Sequence, residues 1–262
     1  MQVTSKEYQE HKIFEELENY ANFYNDLSYS IMGFITLGTK SILNIDTHVY
    51  SSMSGTLDSI KIILRHGRIN DAFALQRKFY DSLLMDVYVN LYLENNHSID
   101  NFIVEKIQGW IQGTDQLPNS RGMINYIKDS SKIAKLYLIL NKDDRYDKIR
   151  NRGNDNTHYN FYRNVMLNDN QVYIKHRIEY LNALLSDIKQ LIIMHLSFIF
   201  YLNQHYMVSS DYADYLEINQ TPPEDCQYWV APFIQKIFDE LIKKHRADIA
   251  AYIKENTSMQ LN

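Results

Sequence analysis

INDAFALQRKFYDSLLMDVYVNLYL, Ile69 to Leu93, runs 25 residues without a glycine or a proline, and its apolar groups fall on most sides of a helical wheel. A helix that is apolar all round has to be enclosed by other elements, so this stretch predicts the central helix of a bundle. Downstream, residues 172–207 place Ile174, Ile178, Leu181, Leu185, Ile188, Ile192 and Phe198 at near-helical spacing and predict a second core helix. Upstream, Ile13, Leu17, Tyr20 and Tyr24 recur at three and four, predicting a first helix over 6–27.

Shorter segments fill in around these. An apolar run spans Tyr29 to Leu43, and a helix is expected from Ser51 to His66, opened by serines suited to capping and stopped by Gly67. Residues 100–112 and 122–140 read as helices parted by the loop GTDQLPNSRG. A short helix near 144–151 should give way to a polar loop, and adjacent Pro222 and Pro223 mark a connector before a terminal helix at roughly 230–255. With only 8 Gly and 4 Pro in 262 residues, no repeat, no sustained heptads and no hairpin signal, the fold class is all-α, a helical bundle. The expected organisation is a bundle over 1–210, a connector over 211–229 and a helical extension over 230–262.

Composition narrows the function classes. A net charge of −5 provides no global positive field for nucleic acid or an anionic membrane, so any polyanion site has to be local. The single cysteine, Cys226, excludes an internal disulfide, and the polar start MQVTSKEYQEHK is unlike a secretory signal, so the expected location is cytoplasmic. The most apolar run, Leu191 to Leu202, is shorter than the ~20 residues a span requires and carries His195 and Ser197, so it reads as a buried core helix and no membrane partner is expected.

Several familiar sites can be set aside. Gly33 to Ser41 almost spells a phosphate-binding loop, but Thr39 displaces Lys40 by one position. Glu94 and His97 form one Glu-x-x-His pair where a di-iron bundle needs two pairs and further carboxylates. No metal-ligand spacing and no nucleophile elbow occurs, and no cofactor is expected. His195 and His205 belong to no ligand pattern, and each reads as a core or boundary histidine with one hydrogen bond.

What remains is the polar segment IRNRGNDNTHY, Ile149 to Tyr159. Between 141 and 177 eight basic residues face five acidic ones, a local excess of about three positive charges interleaved with Tyr146, Tyr159, Phe161, Tyr162 and Tyr173. Basic groups hold phosphates and rings stack on splayed bases, the combination used to bind single-stranded RNA. A solvated loop with aromatic feet in the core is the plainer reading of the same charges. Arg152 and His158 add chemistry: a guanidinium neutralises a phosphate, and an imidazole with a pKa of about 6.5 moves a proton near neutrality. Together they would let a ribose 2′-hydroxyl attack its own phosphate without a metal, Arg152 stabilising the developing charge.

Here the sequence resembles the HEPN superfamily of helical domains, whose signature is Arg, four to six residues, then His, often with Asn after the Arg. Arg152 and His158 fit that spacing, whereas Arg150 has the asparagine neighbour, Asn151, but lies too far from His158; which arginine corresponds stays open. On the central helix, Arg77 to Asp81 is similar to the Arg-x-x-x-Glu helix of bacterial HEPN-like families, with Asp in place of Glu. The resemblance covers about residues 51–207 and implies a four-helix core with the motif at or just before a late helix. It further implies a metal-independent endoribonuclease, used as a toxin or an anti-phage effector, acting as a homodimer on RNA and held in check by an antitoxin or other protein partner.

In that reading His158 is the acid or base and Arg152 the phosphate clamp, with Arg150, Asn151, Asn154 and Tyr159 as substrate-binding groups. Arg77 and Asp81, one turn apart on an apolar face, would orient Arg152 or His158; otherwise they form a surface ion pair. Asn151, Asn154, Asn156 and Thr157 are also typical of helix caps. The rival from another class is a non-catalytic helical binding, immunity or regulatory protein, in which the polar segment is merely a loop. A third reading, weaker than these two, is nucleotide binding or nucleotidyl transfer to the motif by a partner enzyme.

Overall fold

A computed structural model describes residues 1–32, 39, 45–221 and 229–262. The chain order is α1 (Lys6–Gln9), α2 (Ile13–Met32), α3 (Ile45–Arg65), α4 (Ile69–Asn96), α5 (Glu105–Gln112), α6 (Ser120–Asp129), α7 (Ala134–Leu140), α8 (Arg145–Thr157), α9 (Tyr162–Met166) and α10 (Arg177–Leu202). A 3-10 turn (Gln204–Met207), α11 (Ser210–Glu217), α12 (Pro232–Ile237), a π-helical turn (Phe238–Lys243) and α13 (Ala247–Asn256) complete it. Among the described residues only two isolated β-bridges occur, Ser98 with Asn101 and Val208 with Val230, so the protein is all-α. Most of the Gly33 to Ser41 stretch, the Pro222–Pro223 pair and Cys226 lie outside the described residues.

α4 is the central element: it packs against α3, α6, α8 and α10, which explains why its apolar residues are not confined to one stripe. α2 lies along α3 and touches α10, its buried line running through Ile13, Leu17, Tyr20, Tyr24, Leu27 and Ile31. α10 is long and apolar enough to cross a membrane, and 78% of its most apolar window is buried inside the protein, as in a core helix. Residues 230–262 share the same hydrophobic cluster through Ile234, Phe238, Ile242, Ile249 and Ile253.

Several boundaries differ from the sequence expectation. The first helix breaks at His11, whose Nδ1 accepts the Ile13 amide at 3.2 Å and so caps a new helix start. α3 begins at Ile45, so Ser51 and Ser52 lie inside the helix rather than at its cap. Its stop at Gly67 is as expected: φ is 80°, and a Cβ there would lie 2.4 Å from Val3 Cγ2, so both conformation and space require glycine. Residues 122–140 divide into α6 and α7, and the terminal helix into α12, the π turn and α13. The connector contains α11.

The interior holds an extended polar network. His195 Nδ1 is 2.8 Å from Tyr24 Oη and its Nε2 is 2.8 Å from Asp86 Oδ2, so the ring has two partners rather than one. Asn90 donates to Asp86 and to Asp46 Oδ1 (3.1 Å), Asn203 donates to Asn90 Oδ1 (2.7 Å), and Tyr206 donates to Asp46 Oδ2 (2.7 Å). Burial pushes the Asp86 carboxyl up to about 8 and the His195 imidazole down to about 3, so both favour their neutral forms. Hydrogen bonding at nearly every position is what makes such burial tolerable.

Candidate functional site

α8 is pressed onto α4 at Gly153. A Cβ there would stand 2.8 Å from Arg77 Cβ, so the missing side chain is what allows the two helices to approach so closely. Arg77 Nε donates to Asn154 Oδ1 at 2.9 Å, Arg77 Nη1 pairs with Asp81, and Ser120 Oγ donates to Asp81 Oδ1 at 2.6 Å. Asn70 donates to the Asn156 carbonyl at 3.1 Å. These bonds fix the roll of α8 and decide which residues face outward.

The helix continues to Thr157 although a loop is expected after 151. Asn156 and Thr157 return hydrogen bonds to the carbonyls of Arg152 and Gly153, four residues back, and Asn154 is held by Arg77. They therefore support the helix from within rather than capping it, and tertiary contact with α4 overrides their weak helix propensity. Tyr159 ends the segment with φ of 48°, an unusual conformation for a bulky residue. The turn is held by Asn160 and Asn164, which donate to the Asp155 carboxylate and carbonyl, both at 2.8 Å.

Arg152 leaves α8 on the side of α10, where its Nε is 3.1 Å from Asp187 Oδ2. Asp187 is buried, and burial raises its carboxyl to about 6 while the nearby guanidinium acts in the opposite direction. Sequence reasoning missed Asp187 because its partner is 35 positions upstream and no local pattern marks the pair. Beside it opens a cleft of about 360 Å³ lined by Phe73, Arg152, Asp155, Arg163, Asn164 and Tyr180, among others.

His158 is the C-terminal cap of α8 and its exposed imidazole makes no hydrogen bond among the described residues. It does not line that cleft. It lies six positions beyond Arg152, ~9 Å along the axis and about a third of a turn around it. The two motif side chains therefore leave one helix in different directions. Arg150 points elsewhere again, close enough to Tyr80 on α4 to bias its hydroxyl, and Asn151 is exposed. Arg77 and Asp81 hold Asn154 and Ser120 and, among the described residues, make no hydrogen bond or ion pair with Arg152 or His158; with Arg77 14% and Asp81 41% exposed, they are a partly buried interhelical clamp.

Two carboxylates from outside the segment, Asp187 and Asp248, offset part of the local positive excess, and Arg246 shares Asp248. Lys142 pairs with Asp248, Arg145 with Asp143, Lys148 with Asp144 and Arg152 with Asp187. Arg177 is buried, its guanidinium donating to the carbonyls of Met1, Asp169 and Val172. A count over 141–177 cannot see Asp187 or Asp248, which come from other elements. Arg163 remains outward, its guanidinium carbon 4.8 Å from the centre of the Phe161 ring. Around it Tyr159, Phe161, Tyr162, Val165 and Tyr173 are exposed, Tyr162 by 79%, so the rings of this segment face solvent and are not feet in the core; Tyr146 alone is buried.

Among the described residues no three His, Cys, Asp or Glu side chains converge as a metal-ligand set. Glu94 of the Glu-x-x-His pair instead meets Lys132 at 2.5 Å. Comparison with protein-family models, with curated proteins and with solved structures finds no match to this chain.

Proposed function

We propose that the protein is a metal-independent, HEPN-like endoribonuclease whose substrate lies over the C-terminal end of α8 and the exposed aromatic surface that follows it. The observation that carries this reading is a cleft lined by Arg152 and Arg163 at the end of a helix that closes on the solvent-facing His158 and is followed by exposed rings between 159 and 173. Rings of this kind stack on unpaired bases, arginines hold phosphates, and an imidazole with no competing hydrogen bond can serve as acid or base. His158 acts as acid or base; Arg152, oriented by Asp187, neutralises charge on the phosphoryl group.

Because the two side chains diverge within one chain, the reaction requires a second copy to bring His158 of one chain toward Arg152 of the other. A toxin or anti-phage role inside the cytoplasm, restrained by a protein partner, belongs to this proposal. The test is incubation of wild type, Arg152→Ala and His158→Ala with end-labelled single-stranded RNA in EDTA. Wild type alone should leave 2′,3′-cyclic phosphate ends; equal cleavage by all three, or none by any folded preparation, would remove the proposal.

A second reading has its own support. Arg152 is already engaged by Asp187, and the exposed rings of 159–173 form an apolar surface fit for a protein partner. A non-catalytic binding protein would keep its function in both alanine variants and lose it when Phe161 and Tyr162 are replaced by polar residues.

A further inference from the structure

A cleft larger than the one beside α8 lies far from it along the chain. It measures about 620 Å³, and α2 forms one wall while α12 and the π turn form the other. That volume falls in the range of small-ligand sites, roughly 300–1,000 Å³. π-helical turns are rare and recur at functional sites, and this one places Glu240 and Leu241 in the wall.

The lining is chemically divided. Tyr20, Phe23, Phe233, Ile237 and Leu241 supply an apolar surface, with the Phe23 and Phe233 rings 5.8 Å apart. Lys12, Lys189, Lys244 and His245 gather at one end: Lys12 and Lys189 both act on Glu16, and Lys189 and Lys244 both act on His245. Glu16 is fully used, one oxygen taking Lys189 Nζ at 2.6 Å and the other the Tyr20 hydroxyl at 2.6 Å. Lys12 and Lys244 have no ion-pair partner among the described residues. Glu15, Asp26 and Glu240 also line the cleft, so it has no net positive charge as a whole; it is the clustering of cations beside rings that selects a ligand.

We propose that this cleft binds a small aromatic anion, its ring against Tyr20, Ile237 and Leu241 and its carboxylate or phosphate between Lys12, Lys244 and His245. Ammonium groups serve as point charges for either anion, so the carboxylate or phosphate identity is settled by experiment. Lys12, Lys244 and His245 are exposed side chains whose replacement leaves the core untouched.

Isothermal titration calorimetry on the full chain would use indole-3-acetate and phenyl phosphate as probes, with acetate and inorganic phosphate as ringless controls. One aromatic probe should bind, and Lys12→Glu and Lys244→Glu should each weaken it by roughly tenfold, one charge contact's worth of affinity, while Ile237→Ala weakens it and Arg152→Ala does not. Absence of binding by both aromatic probes at millimolar concentration would overturn the proposal. So would equal binding by the ringless anions, which would mark a charge patch only, or loss of binding in Arg152→Ala but not in Lys244→Glu, which would put the ligand in the cleft beside α8.

Discussion

Two histidines divide the molecule. His195 sits in the middle of α10 with both ring nitrogens bonded, to Tyr24 and to Asp86, and no exposed surface. His158 sits at the open end of α8 with neither nitrogen engaged among the described residues. The first has the partners of a catalytic histidine but no access for a substrate; the second has the access without the partners. A hydrogen-bonded imidazole next to a carboxylate is therefore no sign of catalysis by itself, and in this fold it serves to close a polar core.

The largest effect that sharpens the contrast is on stability. His195→Ala leaves the Asp86 carboxyl and the Tyr24 hydroxyl without this partner beside a new cavity and should cost about 2–5 kcal/mol, from unsatisfied buried polar groups and lost packing. His158→Ala should stay within about 0.5 kcal/mol, as at surface sites generally. Urea denaturation of the two variants beside wild type measures both, and similar losses would erase the distinction drawn here.

Next in size is the contact that rolls α8 into place. Gly153→Ala forces a Cβ against Arg77 and should destabilise by about 1–3 kcal/mol, the cost of overpacking. Unfolding by denaturant checks this, and a neutral result would mean α8 can shift on α4 without loss.

A pH effect follows from the interior pair. Asp86 keeps its proton up to about 8 when folded but loses it near 3.8 when unfolded, so the folded chain binds the extra proton and this group's contribution is lost as pH rises. His195 acts in the opposite sense between about 3 and 6.5, where the unfolded chain takes the proton. The two oppose one another in the acid range, and above 6.5 only Asp86 remains. Stability should fall between pH 6.5 and about 8 in wild type and stay flatter in Asp86→Asn, measured by denaturation midpoints at each pH.

A small stability change is expected at the Arg152–Asp187 pair. Asp187→Asn should alter stability by less than ~1 kcal/mol because Arg152 is 41% exposed and solvent screens it. If Arg152 is a phosphate clamp, the same substitution should lower RNA cleavage by letting the guanidinium wander. Unchanged cleavage would separate Asp187 from the reaction.

Much of the fold is legible in the sequence. The 25-residue run from Ile69 lies inside α4, the spacing of Ile13, Leu17, Tyr20 and Tyr24 is the buried line of α2, and Gly67 ends α3 in the left-handed region. The misses fall where neighbours outweigh local preference. The asparagines of α8 read as loop formers, yet Arg77, Asn70 and their own return bonds hold them helical. At the candidate site, the sequence singles out Arg152 and His158 as residue types but gives no sight of Asp187, of the aromatic surface turned outward, or of the cleft beside α2.

By itself the sequence determined the class of fold, because periodicity and the scarcity of helix breakers are local properties that any arrangement of the helices must satisfy. Only the tertiary structure decided which charges survive to face a ligand. Arg152 meets Asp187, Lys142 meets Asp248 and His195 meets Asp86 across distances in sequence that no local pattern records. Electrostatic partnership depends on separation in space, and the packing of α4, α8 and α10 sets that separation.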